Sequence, residues 1–194
     1  MSVKLTRAEA WDLLREYNKS ESLLNHALTV EGVMRYFARL LNQKDIDKWA
    51  IIGLLHDLDY EIYPNEHCIK VQEILREHDI DEEYIHAIAS HGYGICCDIE
   101  PIHIMEKVLY TIDELTGLIT AAAIMRPSKS VLDLELKSVK KKYKSKGFAA
   151  GVDRTIIENG AKMLGMDLDY IIEHTILAMR EIADSIGLGG IEDI

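Results

Sequence analysis

The sequence predicts an all-α fold, and three observations carry that expectation. Apolar residues recur at three- and four-residue spacing in one segment after another, which marks helices with one buried face. Capping residues and glycine or proline stops separate those segments. No segment alternates apolar and polar residues as a half-buried strand does, and there is no internal repeat or low-complexity linker.

The elements follow in order. Thr6 to Tyr17 reads as the first helix, with Thr6 as N-cap and Glu9 three residues on completing a capping box. In the second, Val30, Val33, Met34, Phe37 and Leu41 make the buried stripe, and His26 sits one turn before it on the same side. Asp45 or Asp47 caps a third helix, in which Ile46, Trp49 and Gly53 lead to His56, while Ala50 and Leu54 lead to Asp57. The chain then runs to Asn65, broken by Pro64. Helices are expected from about His67 to His78 and from Glu82 to His91, the latter stopped by Gly92 and Gly94. Ile102, Met105, Leu109, Ile112, Thr116 and Ile119 define a long helix ended at Arg126-Pro127, with Asp113 on or beside its inward face. Leu132, Leu136, Val139 and Tyr143 stripe a further amphipathic helix, and the last two start at the N-caps Asp153 and Asp167 and stop near Gly165 and Gly187. Gly147 to Gly151 is a helix-to-helix turn, since a P-loop needs a trailing Lys-Ser/Thr and a preceding strand.

Composition narrows the function classes. A formal net charge of -11 argues against a nucleic-acid polymer as partner. The three cysteines, Cys68, Cys96 and Cys97, form neither a disulfide framework nor a CxxC pair, which fits a reducing compartment. Met1 to Glu9 lacks an apolar signal core and no run nears the ~18 apolar residues of a membrane span, so a cytoplasmic protein with no membrane partner is expected. Cys96-Cys97-Asp98 is a weak metal signal and reads as structural. His78, His86, His103 and His174 show no partner pattern and are expected at surfaces or helix edges.

The feature that carries chemistry is the adjacent pair His56-Asp57 at the end of an apolar run. Burying an imidazole beside a carboxylate is costly unless something pairs with both, and a metal ion does so. His26 upstream and Asp113 downstream lie on inward faces. Together the four give a mixed nitrogen and oxygen donor set suited to Mn, Fe, Co, Ni or Zn, with positions left for water or substrate. The bland alternative makes His56 a core histidine and Asp57 a helix-terminal carboxylate.

The order His26, then His56-Asp57, then Asp113, in consecutive helices, resembles the HD-domain superfamily of metal-dependent phosphohydrolases. Leu54-Leu55-His56-Asp57-Leu58-Asp59 and the run from Glu106 into Asp113-Glu114-Leu115 carry the likeness, and the whole chain is similar to a group of predicted HD hydrolases. The resemblance implies an HD-type helical bundle with extra C-terminal helices: a single domain over 1–194, its metal-site core at about 20–120 and its extension at about 127–187. It also implies that His26, His56, Asp57 and Asp113 are primary ligands of a divalent ion (Mn, Fe, Co, Ni, Zn or Mg).

His67 and His91 extend the pattern. Their placement is similar to that of HD-type dinucleoside polyphosphate hydrolases, where two such histidines hold a second ion bridged by the HD aspartate. Phosphate contact and purely structural helix-end roles are the alternatives. Asp59 or Glu61 would orient water or act as general base, although both also read as solvated loop acids. HD nucleotidases often carry an acid four residues after the HD histidine, and here that position is Tyr60. From Arg126 to Lys146 there are eight basic and two acidic residues. Lys107, Ser128 and Lys129 are then candidates for substrate phosphate, Ser128 to Ser130 being taken as a helix start; the lysines otherwise form the solvated face of an amphipathic helix.

The expected function is hydrolysis of a small soluble phosphoester, a nucleotide among the candidates, with catalytic roles for Asp57, Asp59 and Glu61. A di-iron oxygenase of HD type and a noncatalytic metal-bound ligand-binding protein are the other readings. Substrate, metal identity and oligomeric state stay open.

Overall fold

In the computed structural model, which describes residues 4–190, every regular element is helical. The described residues form nine α-helices and three short 3-10 turns, with two isolated β-bridges, Tyr93 to Cys97 and Ser130 to Gly189. None of these helices is long and apolar enough to cross a membrane. The first three residues of the N-terminal segment read above lie outside the described residues.

Helix α1 (Arg7–Tyr17) opens with the expected reciprocal capping box: the Glu9 backbone N–H donates to Thr6 Oγ1, and the Thr6 backbone N–H donates to the Glu9 carboxylate. Its C-cap, Asn18, donates from Nδ2 to the Leu58 carbonyl at 2.9 Å, which ties the end of α1 to the turn after the His-Asp pair. Helix α2 (Glu21–Leu40) buries Val30, Val33, Met34 and Phe37 completely, as its stripe predicts, and Leu41 lies just past its end.

Helix α3 (Ile46–Leu55) departs from a one-faced pattern, because every residue from 49 to 55 is buried. It is packed against α1 and α2 and against α5 (Glu82–Ala89). A helix covered on all sides has no polar face to show. Gly53 sets its closest approach to α2: a Cβ there would stand 2.9 Å from both the Val30 carbonyl oxygen and Met34 Cγ. Asp45 holds the N-cap position without a side-chain capping bond.

The following helices are shorter than expected. A 3-10 turn, Pro64–Glu66, and the left-handed Cys68 (φ 64°) occupy the approach to α4 (Lys70–Glu77), so His67 precedes that helix. After α5 the chain passes into a second 3-10 turn, Ser90–Gly92, which carries His91. Helix α6 (Ile104–Ile124) packs against α2, α8 (Arg154–Leu164) and α9 (Leu168–Glu181), and so runs through the middle of the molecule. His103 caps it and shares a capping box with Glu106. Gly160 of α8 seats directly on Thr111 of α6, where a Cβ would meet Thr111 Oγ1 at 2.0 Å.

The basic segment differs most from expectation. Helix α7 (Leu136–Tyr143) begins eight residues after Ser128, so Ser128 to Ser130 open no helix. Arg126 and the Ser128 hydroxyl instead donate to the Asp133 carboxylate, which closes a turn through the left-handed Lys129. Leu132 is half exposed, and only Val139 of the stripe is fully buried within α7. Helices α8 and α9 start at Asp153 and Asp167 as expected, each capped through its aspartate side chain. Helix α9 stops at Glu181, and a 3-10 turn carries the chain to Gly187, whose positive φ of 69° ends it. One hydrophobic core is continuous from Ala10 to Leu188.

Candidate metal centre

Three neighbouring helices deliver the first group of side chains. The α2–α3 contact at Gly53 brings His56, the C-cap of α3, beside His26 of α2, and α6 supplies Asp113. His26 Nε2 lies 3.1 Å from His56 Nε2 and 2.9 Å from Asp113 Oδ1. His56 Nε2 is 3.3 Å from the same Asp113 oxygen. Asp57 turns Oδ2 toward this pair, 3.4 Å from His56 Nε2 and 3.7 Å from His26 Nε2.

The other Asp57 oxygen serves a second pair. Oδ1 lies 3.4 Å from His67 Nε2 and 3.6 Å from His91 Nε2, and those two nitrogens are 3.1 Å apart. The two groups adjoin through His56 and His91, whose rings meet edge to face at 5.0 Å. One carboxylate therefore faces two imidazole pairs, one with each oxygen.

Hydrogen bonding on the far side of the rings fixes the chemistry. His56 Nδ1 is 2.8 Å from the Gly53 carbonyl and His91 Nδ1 is 2.6 Å from the Ile88 carbonyl. A carbonyl only accepts, so each Nδ1 carries the proton. His67 Nδ1 likewise donates to Asp59 Oδ1 at 2.7 Å. With Nδ1 protonated in the neutral ring, Nε2 presents a lone pair. His67 and His91 then aim two lone pairs at one another, an arrangement that repels unless a proton or a metal ion stands between. Separations near 3 Å are those of ligands held at about 2.1 Å around one ion. Groups able to hold an ion are therefore present: His26 with His56 and Asp57, His56 with His91 and Asp113, and His67 with Cys68 and His91.

Ionisation follows the same geometry. Burial would raise the Asp113 carboxyl, yet the His56 and His26 imidazoles hold it far below the usual carboxylate range. Asp57 is held low in the same way, by His56, His91 and His26 against the effect of burial. Burial would lower His56, but Asp57 and Asp113 push it well above the ordinary histidine value. The site stabilises positive charge at its centre, whether that charge is a proton or an ion.

Cys68 also approaches this site, with Sγ 3.9 Å from His91 Nε2 and 4.0 Å from Nδ1. Being equidistant from both nitrogens, the sulfur sits beside the ring and off the Nε2 lone-pair axis, so it packs against His91. The three cysteines converge here: a Cβ on Gly92 would stand 2.4 Å from Cys68 Sγ and 2.3 Å from Cys96 Sγ, and Cys97 lies in hydrogen-bond contact with Cys68.

A cavity of about 330 Å³ opens over the centre, lined on one side by His26, Asp57, His67, His91 and Asp113. Asp59 and Glu61 are not on it. Asp59 is wholly buried, bonded to His67 through Oδ1 and to the Val71 backbone N–H through Oδ2 (2.8 Å). It is neither a solvated loop acid nor a free base. Glu61 is exposed and accepts from the Lys19 and Ser20 backbone N–H groups at the start of α2. Lys107, half-buried on α6, and Ser128 and Lys129 do not line the cavity either, and Ser128 is engaged with Asp133.

Several residues around the site were not foreseen. Tyr60, where an acid was looked for, sets its ring edge-on to His67 at 5.1 Å and borders the cavity. Glu114 lines it as well; burial, and then the neighbouring Asp113, push its carboxyl up to about 7. Adjacency to Asp113 was its only signal in the sequence. Val152 and Ile156, from the far end of the chain, complete the wall. Three of the other four histidines have side-chain partners: His86 bonds Glu106, His103 caps α6, and His174 bonds the Tyr36 hydroxyl, while His78 is exposed at the end of α4.

Residues 23–118 match the family model of the HD domain, a stretch that contains all six histidine and aspartate residues of the paired groups and ends before Val152. No solved structure matches the chain.

Proposed function

Because the chain belongs to the HD-domain superfamily, whose members are in general metal-dependent phosphohydrolases, we propose that it hydrolyses a small phosphoester at a centre for two divalent ions. His26, His56, Asp57 and Asp113 would hold the first ion, and His67 and His91 with the other oxygen of Asp57 would hold the second. A divalent ion at such a centre supplies hydroxide at neutral pH and neutralises charge on a phosphoryl oxygen.

The observation that carries this reading is the pair of Nε2-to-Nε2 separations of 3.1 Å, each facing its own oxygen of Asp57. The protein's part is to orient. Gly53 and Ile88 carbonyls and the Asp59 carboxylate accept the three Nδ1–H protons and aim each ring at the centre. Tyr60 and the facing wall limit the water around a bound phosphoryl group.

Metal analysis of native protein combined with a panel of phosphomonoesters and phosphodiesters tests this. About two equivalents of a divalent ion and metal-dependent release of phosphate are expected. Metal binding without turnover of any phosphoester would leave a ligand-binding protein in its place. The nitrogen-rich donor set also suits iron, and oxygen uptake with ferrous iron and ascorbate would identify the oxygenase instead.

A further inference from the structure

The two walls of the cavity differ in chemistry. Histidines and carboxylates form the floor. The opposite side is Tyr60, Ile95, Gly117, Val152 and Ile156, interrupted by Glu114. No lysine or arginine is among the described residues that line it. The basic residues nearest in sequence are committed elsewhere. Lys70 pairs with Glu73. Arg154, which stands between Val152 and Ile156, donates to the backbone carbonyls of Tyr143, Ser145, Phe148, Ala149 and Val152, so its guanidinium ties the loop before α8 together. Glu114 accepts from the Asp153 backbone N–H at 3.1 Å, which anchors the same loop to α6 beside the cavity.

A phosphoryl group beyond the one at the centre carries up to three strong acceptor oxygens and needs donors or cations around them. Apart from the Tyr60 hydroxyl and the Cys96 thiol, this wall offers hydrocarbon and one carboxylate, and no cation among the described residues. Desolvating additional phosphates against it is unfavourable. Resting on the phosphohydrolase reading, we infer that the substrate is a single-phosphate ester whose leaving group is uncharged and presents an apolar or aromatic face to Tyr60, Ile95, Val152 and Ile156. The reaction breaks the P–O bond to that group with water as acceptor and gives phosphate and a neutral alcohol or phenol. This runs against a polyphosphate, the substrate of the hydrolases that the order of histidines resembles.

Two measurements on the metal-loaded full chain test the inference. Calorimetric titration in excess magnesium compares phenylphosphonate with a methylene-bridged nucleoside triphosphate analogue, both inert to hydrolysis. The phosphonate is expected to bind at least about tenfold more tightly. In turnover, phenyl phosphate and nucleoside monophosphates are expected to exceed the triphosphate and a dinucleoside tetraphosphate in kcat/KM by a similar factor. Ile95→Lys places a cation on an exposed position of the wall and should narrow both ratios. Equal or better binding and turnover of the polyphosphates, or ratios unmoved by Ile95→Lys, overturns the inference while leaving a phosphohydrolase. Absence of turnover for every phosphoester overturns the functional reading, and the inference with it.

Discussion

Asp59 and His67 are joined by a 2.7 Å hydrogen bond from His67 Nδ1 to Asp59 Oδ1, and the aspartate is completely buried. The second Asp59 oxygen accepts the Val71 N–H in the first turn of α4. One side chain thus fixes both the start of a helix and the orientation of an imidazole at the candidate metal centre. Asp59→Asn should lower affinity for one of two ions by about 10- to 100-fold, as loss of such orienting partners does, and leave the other ion bound. Metal stoichiometry by mass spectrometry, with calorimetric titration, checks it; two ions held at unchanged affinity would show that Asp59 acts only on α4.

Asp57 faces both histidine pairs, one with each carboxylate oxygen. Asp57→Ala is therefore expected to abolish metal binding and phosphate release together while helical circular dichroism stays near the native value. An active Asp57→Ala protein would refute the two-ion reading.

Gly92→Ala should be disruptive for a steric reason. The added methyl group would stand 2.3 Å from Cys96 Sγ and 2.4 Å from Cys68 Sγ, an overpacking that costs about 1–3 kcal/mol. His91 immediately precedes it, so bound metal should fall as well. Combining Gly92→Ala with Cys96→Ala removes one of the two sulfurs and should restore part of the lost stability, read as the denaturation midpoint.

Stability of the metal-free protein should depend on pH at both ends. The folded values of Asp57 and Asp113 lie below the ordinary carboxylate range. Their contribution is present above that range and is lost as pH falls through the lowered values. His56 is raised in the folded state, so its contribution is full below the ordinary histidine value and is lost as pH rises through the raised one. A bound ion needs neutral imidazole and releases that proton, so metal affinity should rise with pH. Denaturant titrations with and without chelator check both signs: the alkaline decline should vanish when metal is present.

Much of this molecule is readable in one dimension. The capping box at Thr6 and Glu9, the stripe from Val30 to Phe37 and the aspartate caps of α8 and α9 are local, set by residues within a few positions of each other, and the structure has them where the sequence implies. The inward placement of His26, His56 and Asp113 was legible for the same reason, since helical period assigns a face. Period does not say which faces meet. The approach at Gly53, the sharing of Asp57 between two histidine pairs and the burial of Asp59 under His67 all join segments brought together only by packing. Ser128 and Lys129 show the converse: a plausible helix start became a turn because the Asp133 carboxylate captured its polar groups. The sequence by itself determined a helical protein with a metal-seeking His-Asp pair. Tertiary structure alone decided that the two oxygens of Asp57 face separate histidine pairs and set an aliphatic wall, Val152 and Ile156, across from them. Local propensity acts along the chain, whereas a coordination sphere and a cavity are made by distances across it.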